Sequence, residues 1–371
     1  MLDNYGTWLE IDLSILKKNF ALLSEFSGVT VMPVVKANAY GHGLERVAIA
    51  FEEAGAEWFG VARIEEALML REVGIKAKIL VLGYTPPNRI PHALQENISL
   101  TVYDPSVAVS YAESAKGLDK RVNIHTKVET GMGRLGIPLE DANNLVNYIH
   151  NQEMLSSEGV FTHFACADEP EKKSTANQIT KFFTFLDELD SKGLKPEFVH
   201  AANSAGAINF PEARFNLIRS GIALYGHPPS TKTVLPEGMR SAISWKTRLI
   251  SIKELPPKHG ISYGHTYHTK KKEHVGTIAV GYGDGFRRQP GNYVLLEGKI
   301  APIIGNVCMD QCMINLDGFS DPKIGDEVVI IGAQSGAEIS SSNIANNWNT
   351  INYEVLCGLA ARMPRNYLNK K

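Results

Sequence analysis

Four cysteines in 371 residues, Cys166, Cys308, Cys312 and Cys357, are too few and too irregularly spaced for a disulfide framework or a zinc knuckle. Reduced thiols and no metal ion are expected. A surplus of charge of one sign is also missing. The formal net charge is −2 and the longest basic run is Lys270 to Lys272, so neither nucleic acid nor an anionic membrane is the expected partner. No apolar stretch approaches the length that spans a bilayer, and the opening Met-Leu-Asp-Asn-Tyr lacks the basic and apolar regions of an export signal. These absences together predict a cytoplasmic protein that acts on a small molecule. What the chain does have is 44% hydrophobic residues, ample for a large core, and a length that exceeds one ordinary domain.

Short apolar runs alternate with amphipathic stretches from Ser14 onward. Strands are predicted over 31–35, 58–61, 79–82, 100–102, 122–127, 159–162, 198–202 and 217–219, and helices over 43–54, 64–72, 106–115 and 175–192. Eight strands in this rhythm suit a (β/α)8 barrel, placed at 11–235. After Tyr225 the texture changes. Pro228, Pro229, Pro236, Pro256 and Pro257 punctuate short runs such as 277–280 and 327–331, the pattern of a mostly β domain over 236–371, with 1–10 joining it through Trp8 and Leu9.

Val31-Met32-Pro33-Val34-Val35-Lys36-Ala37-Asn38-Ala39-Tyr40-Gly41-His42-Gly43 is the most informative stretch. An apolar β-branched run suited to a covered strand ends in one lysine, and Gly41 and Gly43 then permit backbone shapes closed to other residues. In α/β folds the carboxyl ends of strands face the active site, where a desolvated lysine becomes a nucleophile. By position alone a strand-end lysine reads as a solvated surface residue. The whole string, however, closely resembles the pyridoxal-phosphate lysine motif of the alanine racemase family.

That resemblance extends over nearly the whole chain and implies a barrel enzyme that uses pyridoxal 5′-phosphate, works as a homodimer and racemises alanine for wall peptide. It assigns cofactor attachment and one catalytic proton transfer to Lys36. Ile261-Ser262-Tyr263-Gly264 supplies the second catalytic group, Tyr263, from the partner's β domain. Gly131-Met132-Gly133-Arg134-Leu135-Gly136 implies that Arg134 contacts the cofactor's phenolic oxygen and the substrate carboxylate, held by a carbamylated Lys127. Phe161-Thr162-His163-Phe164 makes His163 a relay between Arg219 and the tyrosine. Tyr40, Ser204, Gly221, Ile222 and Tyr353 are assigned to the cofactor phosphate, the Met309 amide to the substrate carboxylate, and Tyr282 to the access route. Gly283 and Cys166 stand where other small residues are associated with the family, a departure expected to loosen the entrance.

Arg219 bears on the reaction type. A guanidinium only donates, so an arginine facing the cofactor's pyridine nitrogen needs that nitrogen unprotonated, and the ring becomes a weak electron sink. Most pyridoxal enzymes place a carboxylate there. The arginine therefore counts against a decarboxylase on the same barrel and suits a racemase, which must avoid transamination. Inversion at a carbon needs a proton removed from one face and delivered to the other, hence two groups. A serine or broad-specificity racemase is the alternative left open by sequence. Tyr353 near the substrate methyl favours alanine.

Overall fold

A computed structural model describes residues 6–369. The first five residues of the leading segment 1–10, expected to join the second domain, lie outside the described residues. The chain falls into two compact units, one of residues 15–39 and 44–240, the other of residues up to Ser14, 40–43 and from Ser241 onward.

In the first unit, eight strands run parallel: Thr30–Pro33, Trp58–Val61, Lys78–Val81, Ile98–Val102, Val122–Glu129, Leu155–Phe161, Phe198–His200 and Leu217–Ser220. Adjacent strands pair in sequence order and the last pairs with the first. The remaining joints are a bridge between Val34 and Gly60 and a 2.9 Å bond from the Arg219 amide to the Ala202 carbonyl. The ring is thus closed, and the (β/α)8 barrel expected from the alternating runs is the fold observed. Trp58–Val61 and Ile98–Val102 are buried at every position, as strands covered on both faces must be. The intervening helices turn one stripe inward. Helix Ile64–Glu72 buries Ile64, Ala67 and Leu70, at the spacing of one helical face.

The sixth strand departs most from what its sequence suggested. Leu155–Phe161 begins four residues before the predicted 159–162, because the polar run Ser156-Ser157-Glu158 hides the first half. That half is held inside the barrel by polar bonds. Glu158 accepts from His125 at 3.2 Å and from Lys78 at 3.1 Å, and the Ser99 hydroxyl also donates to it.

The second unit is built on the long strand Ile243–Leu255. Its first half pairs with Thr7–Asp12 and Glu327–Gln334, and its second half with Glu273–Ile278. Register shifts after Trp245 and Leu249 let it change partners. Tyr293–Leu296, Lys299–Ile304 and Cys312–Asn315 complete an antiparallel circuit. Thr7–Asp12 also pairs in parallel with Arg365–Leu368.

The backbone after Lys36 departs from what its glycines alone suggested. Ala37, Asn38 and Ala39 all lie in the left-handed region, with φ of 53°, 55° and 52°, and Tyr40 follows at 52°. For residues other than glycine this costs about 1–2 kcal/mol each, and side chains hold it in place. Glu66 Oε1 accepts from the Ala37 amide at 2.7 Å, while its Oε2 accepts from Ala62 at 2.8 Å and Arg63 at 3.2 Å. Asn38, the residue type that best tolerates this region, accepts from the Leu44 amide at 2.8 Å and so starts the next helix. Glu66→Ala is expected to remove three charge-assisted bonds at once. The loss should lower unfolding free energy by about 2–4 kcal/mol, readable by urea denaturation, and weaken cofactor retention.

Candidate active site

Four cationic side chains of the barrel unit lie within electrostatic reach of one another: Lys36, Lys127, Arg134 and Arg219. Lys127, the sixth residue of strand Val122–Glu129, is 4% exposed. Burial, together with Arg219, Arg134 and Lys36, lowers its pKa to about 7 despite the opposing pull of Glu129. His163 is driven well below its usual range by burial and the same four cations. Glu129 is committed elsewhere. Its carboxylate accepts from the amides of Gly131, Met132 (2.6 Å) and Gly133 (2.8 Å), which folds the loop presenting the exposed Arg134. At Gly136, φ is +141° and a Cβ would sit 2.6 Å from the Glu129 amide, so only glycine fits.

Arg219 is 3% exposed and, among the described residues, pairs with no acid. Its Nη1 donates to His200 Nδ1 at 2.8 Å. Its Nη2 donates to Thr162 O (2.8 Å), Ala201 O (2.9 Å) and His163 Nδ1 (3.1 Å). Nη2 thus shares its two N–H groups among three acceptors, and the Nε–H and one Nη1–H have no partner among the described residues. Burial and Arg134 push the guanidinium down to about 9, so it stays charged at neutrality. Because a guanidinium only donates, His163 must accept at Nδ1 and carry its proton on Nε2.

Ser204 and Ser220 lie at the same end of the barrel, their hydroxyls 3.1 Å apart. Ser204 Oγ accepts from the amides of Gly221 (3.0 Å) and Ala223 (3.3 Å). The Gly221 amide, expected to serve a phosphate, is therefore engaged by the serine. The amide of buried Ile222 has no such bond, and that of Ser204, first in helix Ser204–Asn209, has no intrahelical acceptor.

The second unit groups the other expected residues. Tyr263 sits on a tight turn with Ser262 at φ 62° and Gly264 at φ 73°. Asn306 Nδ2 donates to Tyr263 O at 2.7 Å, and Ser262 Oγ to Asn306 O at 2.6 Å. The amides of Tyr282 and Gly283 donate to Cys308 O (3.0 Å) and Met309 O (2.9 Å), tying those two loops together. The outcome is that three large apolar side chains stand exposed: Tyr263 at 74%, Met309 at 54% and Tyr282 at 46%. Tyr40 and Tyr353 form a separate pair, rings 6.2 Å apart, with burial and Tyr353 raising the Tyr40 phenol so that it stays neutral.

The expectation that Gly283 loosens the entrance is corrected. Arg362 Nη2 lies 2.6 Å from where a Cβ at that position would stand. The guanidinium fills the space and bridges Asp284 and Asp310, each at 2.8 Å.

The family models for the alanine racemase N-terminal and C-terminal domains match residues 11–229 and 242–367. An alanine racemase of Symbiobacterium thermophilum is 41% identical over 364 residues, 97% of each chain. The chain belongs to the alanine racemase family. A second relative, from Halothermothrix orenii, is 42% identical over 98% of this chain and 97% of its own. Among solved structures, alanine racemase from Clostridium difficile superposes with a TM-score of 0.93 at 37% identity, covering 98% of this chain and 96% of that one. The enzyme from Bacillus anthracis with bound L-Ala-P gives 0.93 at 39%, covering 98% and 95%.

The alanine racemase family uses pyridoxal 5′-phosphate, and the residues present fit that group. A cluster of four cations with its one nearby acid committed to backbone amides demands anions, which a phosphate, a phenolate and a substrate carboxylate supply. The unpartnered Nε–H of Arg219 suits a neutral ring nitrogen. Family motifs did not single out His125, Glu158 and His200, although a signal was there. The two histidines fall within the predicted strands 122–127 and 198–202, where apolar side chains are the rule, whereas Glu158 lies outside the predicted 159–162.

Lys127 is expected to take up carbon dioxide as a carbamate once its amine is neutral. Since its pKa lies at about 7, the uptake should appear as pH rises through that value and be lost below it. Carbon-13 bicarbonate NMR checks this, with Lys127→Ala as the blank. A lysine titrating near ~10.4 would show little uptake at neutrality.

Proposed function

We propose that this chain interconverts L-alanine and D-alanine on pyridoxal 5′-phosphate, as a cytoplasmic homodimer that supplies D-alanine for cell-wall peptidoglycan. The observation that carries the reading is Arg219, a buried donor-only group amid cations that has no acid beside it. Alanine is favoured over the serine or broad-specificity alternative by relatives named for it across the full length. Free cysteines accord with a reducing compartment.

When bound, the cofactor draws electrons from the substrate and makes the proton on Cα acidic. Lys36 and Tyr263 take opposite faces of Cα, one accepting that proton while the other delivers one. Arg219, a donor-only side chain, would face the cofactor's ring nitrogen and would keep it unprotonated, so that the ring supplies a weak electron sink. His163, its Nδ1 filled by Arg219, presents Nε2–H as the donor that stabilises an ionised Tyr263. Lys127, as its carbamate, steadies Arg134. Arg134 and the Met309 amide hold the substrate carboxylate, and Tyr282 narrows the access route. Tyr40, Tyr353, Ser204, Gly221 and Ile222 hold the phosphate, with Gly221 acting through Ser204.

The dimer is supported by Tyr263, Tyr282 and Met309, three large exposed side chains that one chain presents together. In this arrangement each site takes Lys36 from one chain and Tyr263 from its partner.

Turnover on L-alanine should far exceed that on L-serine and L-lysine, and borohydride reduction followed by peptide mapping should mark the Lys36 peptide. Equal rates, or a mark on Lys127, would overturn the assignment. Shared sites make a second prediction. Lys36→Ala and Tyr263→Ala homodimers should both be inactive, while a verified heterodimer regains one intact site. A heterodimer that stays inactive rules out sharing and leaves the cofactor assignment intact.

A further inference from the structure

The contacts of Arg219 continue away from the cofactor end into the barrel interior. His200, which accepts from Arg219 at Nδ1, has its Nε2 2.8 Å from His125 Nδ1, and His125 Nε2 lies 3.2 Å from Glu158 Oε2. Both histidines are fully buried. His200 stacks on Phe161 at 4.7 Å, and His125 packs against Trp58 and Phe198. Glu158 also accepts from Ser99 and from Lys78, the first residue of its strand.

The direction of every proton in this chain follows from its ends. Arg219 can only donate, so His200 Nδ1 accepts and its proton sits on Nε2. That proton points at His125 Nδ1, which must accept, so His125 carries its own on Nε2 and gives it to the carboxylate. Neither ring has room for a second proton, because an imidazolium would set two N–H groups face to face across 2.8 Å. Burial, which lowers both histidines, acts the same way. Burial alone would raise Glu158, but the bonds from His125, Ser99 and Lys78 outweigh it and hold the carboxyl at about 2.

We propose that Glu158 is a positioning residue for Arg219, acting through His125 and His200 as two neutral Nε2–H imidazoles in series. It is the one acid reached from Arg219 by hydrogen bonds among the described residues. The chain sets the plane of the guanidinium and offsets its charge from a distance, where an adjoining carboxylate would compete with the ring nitrogen for its protons. The strand pairing is shaped for this. Gly159 stands opposite His125, and any Cβ there would overlap His125 Nδ1, the atom that takes the proton from His200. The inference rests on the proposed role of Arg219, yet its first test does not need turnover.

Protein labelled with nitrogen-15 histidine, with and without cofactor, should show His125 and His200 protonated at Nε2 alone. They should not titrate between about pH 5 and about pH 8, where an ordinary histidine loses its proton. His125→Gln and His200→Gln assign the signals. An Nδ1–H tautomer or an imidazolium at either residue would overturn the proposal even if alanine is racemised. If the pattern holds but no alanine is turned over, the functional reading falls and the chain stands. Glu158→Gln, which keeps the shape and removes the charge, should then lower kcat about tenfold with KM for alanine and cofactor absorbance unchanged. Lys78→Met, which strips one donor from the carboxylate and leaves its charge, should lower kcat by less than Glu158→Gln does. Equal kcat in Glu158→Gln and the parent also overturns the proposal. Should that variant fail to fold, Ser99→Ala, which strips one hydroxyl from the same carboxylate, must shift kcat in the same direction.

Discussion

A guanidinium buried where no carboxylate touches it is the constraint on which the barrel unit is arranged. A charge out of water is tolerated only when its donors are all satisfied. Arg219 meets most of that demand with two carbonyls and two imidazoles, which arrive in pairs on two strand ends, Thr162 with His163 and His200 with Ala201. Since the arginine cannot accept, its neighbours must. One residue thereby fixes the tautomers of His163 and His200 and keeps its Nε–H without a partner among the described residues.

The neighbouring cations follow from the same choice. Were a carboxylate paired with Arg219, Lys127 would lose part of the repulsion that, with burial, brings it to about 7. The site instead accumulates positive charge from Lys36, Lys127, Arg134 and Arg219. The second unit works by the opposite means. It has tight turns, crossed backbone bonds and an arginine bridging two aspartates, in loops that leave Tyr263, Tyr282 and Met309 exposed.

Much of this was legible in the sequence, for identifiable reasons. Most barrel strands are buried on both faces, so short apolar runs such as Trp58–Val61 and Ile98–Val102 marked them. The motif around Lys36 is long enough to stand by itself. What escaped were features in which side chains override the local pattern. Ser156, Ser157 and Glu158 read as polar loop because their partners, Ser99, Lys78 and His125, come from strands far away in sequence. The left-handed run from Ala37 to Tyr40 has two alanines where glycines would have announced it, and its support, Glu66, lies in a later helix. The filled space beside Gly283 depends on Arg362, which closing up the chain brings near.

The loop just past Lys36 is held by residues far from it in sequence. The Arg365 side chain donates to Gly41 O at 3.0 Å across 324 residues, and the Tyr367 hydroxyl occupies the space a side chain at Gly43 would need. A deletion that removes Arg365 and Tyr367 would therefore loosen a turn at the opposite end of the reading frame, so damage to a distant stretch would be felt in the backbone of residues 41–43 and not only where the cut was made.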